Sequence, residues 1–113
     1  MYRPTVSDDP MYLLLRDKEV EEFNRRHASG ATGTLAGCDF SGMDLRGLLA
    51  DGLDLRDSRF DDADLRGVDL RGANLEGATI HGARIAGAYF PSALRGEEVA
   101  LALEHGTRLR YGR

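Results

Sequence analysis

The sequence predicts an all-β core, built by a chain that turns once every five residues, held between helical flanks. Three observations predict it. A five-residue pattern runs without a gap from 33 to 92, as GTLAG CDFSG MDLRG LLADG LDLRD SRFDD ADLRG VDLRG ANLEG ATIHG ARIAG AYFPS. The centre of each unit is a large apolar residue, Leu35, Phe40, Leu45, Leu55, Phe60, Leu65, Leu70, Leu75, Ile80, Ile85 or Phe90, with Ala50 the one small member. The last place is glycine except at Asp57, Asp62 and Ser92. Two places before the centre the chain is again mostly apolar. Where the centre shrinks to Ala50 that earlier place grows to Leu48, as two positions sharing one interior require.

A period of five suits neither regular element. On a helix five residues rotate by five times about 100°, which leaves successive apolar side chains about 140° apart and spread over every face. In a flat strand an odd period sends successive centres to opposite sides. A corner in each unit restores the inward direction, and glycine is the residue most tolerant of tight corners, with aspartate also a turn former.

The A(D/N)LxG pattern, clearest in ADLRG at 63–67, VDLRG at 68–72 and ANLEG at 73–77, resembles that of the pentapeptide-repeat family. The resemblance covers 33–92. It implies a right-handed quadrilateral parallel β-helix with four pentapeptides per round, hence about three rounds, a solenoid in which residue n lies over n+20. Phe40, Phe60 and Ile80 then form one interior column, and Leu35, Leu55 and Leu75 another.

The flanks read as helical caps. Asp9 is an N-cap candidate with Pro10 at the first helical position, Asp17 offers a second start, and the stretch ends near Ser29–Gly30, with Leu13, Val20 and Phe23 on one face. VEEFNRR at 20–26 is similar to the helix that often precedes the first round in the family. After Pro91 and Ser92, Gly96 to His105 reads as a helix closed by Gly106, and TRLRYGR then alternates like a short half-buried strand. Chain ends of a repeat stack expose edges that invite polymerisation, so both flanks are expected to cap. One domain over 1–113 follows, with the N-terminal helical cap at 10–29, the repeats at 33–92, and a C-terminal helix and tail at 93–113.

The bulk properties exclude several classes. A formal charge of −4 with both signs interspersed suggests no direct nucleic-acid binding. The lone Cys38 forms no internal disulfide, and MYRPTVSDDP lacks the apolar run of a signal peptide. No stretch is long enough to span a bilayer, so a protein of the bacterial cytoplasm is expected. His27, His81, His105 and Cys38 show no metal-ligand spacing, and no phosphate-cradling motif is present, so no metal, no cofactor and no small-molecule substrate are expected. Ser41, Asp61 and His81 share an outward column at n, n+20 and n+40, the composition of a hydrolase triad. Its order is wrong, because the histidine must stand between serine and carboxylate. The chain reads as no enzyme.

Outward charges pair across rounds as Asp39 with Arg59, Asp51 with Arg71 and Arg56 with Glu76. Asp44 over Asp64 and Arg46 over Arg66 stack like with like, which is unfavourable unless the columns compensate sideways or a partner does so. Asp44, Arg46, Asp64 and Arg66 are therefore the candidate partner-binding residues. The expected function is a non-enzymatic interaction or structural module presenting charged β-helix faces to an unidentified protein. The alternative, implied by the quinolone-resistance members of the family, is a DNA mimic acting on gyrase or topoisomerase. Leu101, Leu109 and Tyr111 leave apolar surface on the C-terminal element, where a homodimer is expected.

Overall fold

The computed structural model describes residues 7–112. Residues 1–6 and Arg113, which belong to the expected 1–113 unit and to the expected leaderless start, lie outside the described residues. Three helices follow in order: α1, Pro10–Arg16; α2, Val20–Ala28; and α3, Gly96–His105. The Asp9 side chain accepts from the Met11 N–H at 2.9 Å and Pro10 takes the first helical place, where its missing donor costs nothing. The N-terminal helical stretch is broken once, at Asp17–Glu19. Lys18 there adopts φ 63°, and the Asp17 and Lys18 N–H groups close α1 onto Leu13 and Leu15. α3 ends on Gly106 in the left-handed conformation, φ 72°.

The expected all-β core, a right-handed quadrilateral β-helix, is corrected by the backbone. Among the described residues there is no β-strand. The regular elements are the three helices, and the repeat segments meet only through isolated one-residue parallel bridges, such as Asp39 with Arg59, Asp44 with Asp64 and Asp69 with Tyr89. The terms β-helix and solenoid therefore do not describe its elements. The reason lies in the corners. The units from 38 to 87 each close a turn, as Met43 N–H to Phe40 C=O at 3.2 Å or Ala63 N–H to Phe60 C=O at 3.0 Å, and a chain that turns every five residues has no room for a strand. Asp57 and Asp62 complete their corners at φ 57° and 60°, a region that Asp tolerates better than most side chains.

What the turns build is a stack of three rounds, 33–52, 53–72 and 73–92, joined by backbone hydrogen bonds. Phe40 N–H donates to Arg59 C=O at 2.7 Å and Phe60 N–H to Thr79 C=O at 2.8 Å; Arg59 N–H and Thr79 N–H donate back to Cys38 and Ser58. The interior holds one aromatic column. The Tyr12 ring lies 5.4 Å from Phe40, Phe40 stacks on Phe60 at 5.0 Å and 7°, and Ile80 is buried in the following round. Leu35, Leu45, Leu55, Leu65, Leu70 and Leu75 are buried as well. Ser58, the polar residue among the inward positions, is fully enclosed. Its hydroxyl donates to Leu35 C=O at 2.7 Å and accepts from Cys38 N–H at 3.2 Å.

Candidate functional site

A stack of rounds ends in unpaired backbone groups, and the flanks answer most of them. At the first round, Thr34 N–H donates to Asp9 Oδ2 at 3.1 Å and the Tyr12 hydroxyl donates to Asp39 C=O at 2.7 Å. The Asn24 amide answers two groups at once, donating to Gly47 C=O at 2.9 Å and accepting from Leu49 N–H at 3.0 Å. His27 Nε2 lies 3.1 Å from Asp51 C=O. Burial, with the nearby Asp39 carboxylate second, pushes the Tyr12 phenol up from its ordinary range. Phe23 is buried between these groups. Sequence reasoning found the helix but not these contacts, because nothing in VEEFNRR distinguishes an asparagine that caps a backbone edge from one in solvent.

The last round is closed by the C-terminal residues, corner by corner. Leu109 bridges the first, accepting from Gly77 N–H and donating to Ala78 C=O, both at 2.8 Å; Leu103 C=O accepts from Gly82 N–H at 3.1 Å; Gly112 N–H donates to Ala93 C=O at 2.6 Å. The Tyr111 hydroxyl accepts from Leu75 N–H at 2.9 Å and lies 3.4 Å from Ala73 C=O. The remaining corner, Gly87–Ala88, has no such cover among the described residues. Its direction follows from the round before, where Gly67 N–H donates to Ala86 C=O and Val68 C=O accepts from Tyr89 N–H. Twenty residues on, Gly87 N–H and Ala88 C=O face out of the stack. Beside them Ala83, Ile85, Ala88 and Phe90 are only half-buried, whereas Leu75, Ala78 and Ile80 under the covered corners are buried.

The expected C-terminal residues are thus divided. Leu109 is 0% exposed within its own chain and Tyr111 is hydrogen-bonded to the third round, while Leu101 on α3 is 43% exposed. The core residues Ile85 and Phe90 stand at the open end.

The expectation of charged β-helix faces is corrected on two counts. There are no strands to form such faces, and four of the aspartates stand on turns where an arginine two residues on neutralises them. In Asp44–Arg46, Asp54–Arg56, Asp64–Arg66 and Asp69–Arg71 the carboxylate accepts from the arginine's backbone N–H and from both ends of its guanidinium fork. Arg46 also reaches Asp64 across the rounds at 3.4 Å. The forked side-chain bonds, followed by the backbone N–H, hold the Asp44 and Asp69 carboxyls at about 2; Asp54 and Asp64 are lowered by the same side-chain bonds first. The DNA-mimic alternative falls with the faces, since a mimic of duplex phosphate needs uncompensated negative charge. The structure brings Asp44, Arg46, Asp64 and Arg66 together as two neutral forks.

The other sequence candidates are placed as follows. Asp61 Oδ2 takes the Arg59 guanidinium at 2.7 Å, and among the described residues no hydrogen bond or ion pair joins the Asp61 carboxylate to the His81 ring. Cys38 is buried, which raises its thiol, with the Asp9 charge second. Among the described residues no group of His, Cys, Asp and Glu could hold a metal ion, and no helix is long and apolar enough to cross a membrane. Depressions of about 510 Å³ beside Glu76, Arg95, Glu98 and Arg110, and about 490 Å³ beside Lys18, Glu21 and Arg46, are open and lined by charge.

With turns, bridges and the twenty-residue register in place, the family comparison is decisive for the middle and last rounds: the model of pentapeptide repeats matches residues 58–93 in eight copies. Residues 58–93 are pentapeptide repeats. Pentapeptide-repeat proteins are generally non-catalytic, in agreement with the reading of this chain as no enzyme. The match covers less than half of the chain. Upstream, the inward place two before the centre holds Cys38, Met43, Leu48 and Leu53 instead of the alanines of the later pentapeptide repeats, while the bonds between rounds persist from Gly37 onward. No curated protein and no solved structure matches the chain.

Proposed function

We propose that this protein is a non-catalytic binding module of the cytoplasm that engages a protein partner through the open end of its third round. One observation carries the reading: Ile85, Ala88 and Phe90 remain half-buried at the Gly87–Ala88 corner, whose backbone groups find no partner among the described residues. An apolar patch with outward N–H and C=O groups is suited to association rather than to chemistry. The formal charge of −4 and the neutral Asp–Arg forks speak against nucleic acid as that partner. Leu101, 43% exposed on α3, favours a second reading in which the partner is another copy of the chain.

Site-specific photo-crosslinking tests both. With a benzoylphenylalanine at position 90 the protein should crosslink to a protein in cells, and with the same group at position 66 it should not. A product of twice the chain mass supports the homodimer. Crosslinks at position 66 alone, or none at position 90, overturn the proposal.

A further inference from the structure

We propose that the Gly87–Ala88 corner is a docking notch for an extended segment of a partner protein, centred on a leucine-like residue and flanked by acidic ones. The inference rests on the open end being the binding surface and names what fills it. The protein's own tail supplies the template. Leu109 sits on the Gly77–Ala78 corner with its C=O accepting from the glycine and its N–H donating to the alanine, each at 2.8 Å, and its side chain is 0% exposed. Gly87–Ala88 repeats the same residues at the same place in the unit, with Gly87 at φ 73° against 79° for Gly77.

The two corners therefore present the same donor and acceptor in the same orientation, and one is filled while the other is open. Three of the four corners of the last round are taken by the chain's own Leu103, Leu109 and Gly112. Beneath the fourth, Ile85 and Phe90 offer the apolar floor that a leucine side chain would cover. In the first round the inward residues are better covered, with Leu45 at 0% and Leu48 at 4% exposure. The last round is thus the end with apolar surface left to bury.

Charge sets the flanks. Arg108 and Arg110 flank Leu109 in the tail, and Arg110 lies beside Glu98, 3.9 Å from its carboxylate. Around Gly87–Ala88 the nearest charge in sequence is the exposed Arg84, while Asp64 and Asp69, which bridge to Arg84 and Tyr89, are already neutralised by Arg66 and Arg71. The complementary segment for this corner therefore carries carboxylates where the tail carries arginines.

The probe is a synthetic heptapeptide of the tail sequence with both arginines replaced, Gly-Thr-Glu-Leu-Glu-Tyr-Gly, titrated into the full-length protein while backbone amide resonances are followed. Saturable shifts are expected at Gly87, Ala88 and Phe90. They should be weaker with the arginine parent peptide and lost when the central leucine is N-methylated, which removes the donor to Ala88. Shifts confined to Gly77 and Ala78, or none that saturate, overturn the notch. If the peptide fails while crosslinks at position 90 form, the binding end stands and its proposed occupant falls; if both fail, the open end is not the binding surface.

Discussion

Ser58 shows how one polar residue can sit in a repeat interior. Its hydroxyl answers the Leu35 carbonyl and the Cys38 amide in the round above, so three polar groups are satisfied inside the stack. Replacing it with alanine keeps the volume nearly constant and leaves a donor and an acceptor unanswered. Ser58→Ala is expected to cost about 1–3 kcal/mol, the usual penalty for orphaned buried groups, and Ser58→Cys less than Ser58→Ala if the thiol retains a weak bond. Chemical denaturation reads both; an alanine variant as stable as the parent would mean that water replaces the hydroxyl. The same logic explains why the sequence could mark Ser58 as an exception to the apolar pattern without naming its partners. Those partners lie twenty and twenty-three residues away.

At the scale of elements, α2 does more than bury Phe23: it carries an amide and an imidazole to backbone groups of the first round. Asn24 holds Gly47 C=O and Leu49 N–H together, where an earlier round would otherwise supply the bonds. Asn24→Ala should remove both, at about 1 kcal/mol for exposed bonds of this kind. Asn24→Asp should keep the acceptor for Leu49 and lose the donor to Gly47. Amide hydrogen exchange separates the two: protection at Leu49 should fall in the alanine variant and survive in the aspartate variant. Equal protection in the parent and both variants would show that the helix covers this edge without bonding it. The break at Lys18 belongs to the same design, since it lets Tyr12 on α1 and Asn24 on α2 reach different sides of the first round.

Over the whole molecule the carboxylates set the response to acid. Asp44 and Asp69 are held at about 2 against 3.8, and Glu22, bonded first to Arg25 and then to Arg26, at about 2 against 4.5. A carboxyl lowered on folding adds stability above its unfolded value and loses that contribution as the pH falls through its folded value. The thermal midpoint should therefore hold from pH 7 down to about 5 and decline between about 4 and 2. These groups are exposed, so the decline should be shallow and should shrink in about 1 M salt. A loss complete by pH 5 in calorimetry would place the sensitive groups elsewhere.

The sequence by itself determined the register. Inward places and corners follow from a period of five, because only a chain turning once per unit keeps Leu55, Phe60, Leu65 and Leu70 on one side; the twenty-residue offset came with the resemblance to the pentapeptide repeats. The helix at Gly96–His105 with its Gly106 cap was equally legible, since capping and periodicity are local. Tertiary structure decided the rest. It showed that corners so close together leave only single-residue bridges where strands were expected. It also showed that the Asp-x-Arg sequences close on themselves as neutral forks, a side-chain geometry that column counting across rounds cannot reveal. Where the tail goes was a matter of reach: Leu109 and Tyr111 turn back onto their own last round, and the corner they leave open depends on packing between segments far apart in sequence, which no local pattern encodes.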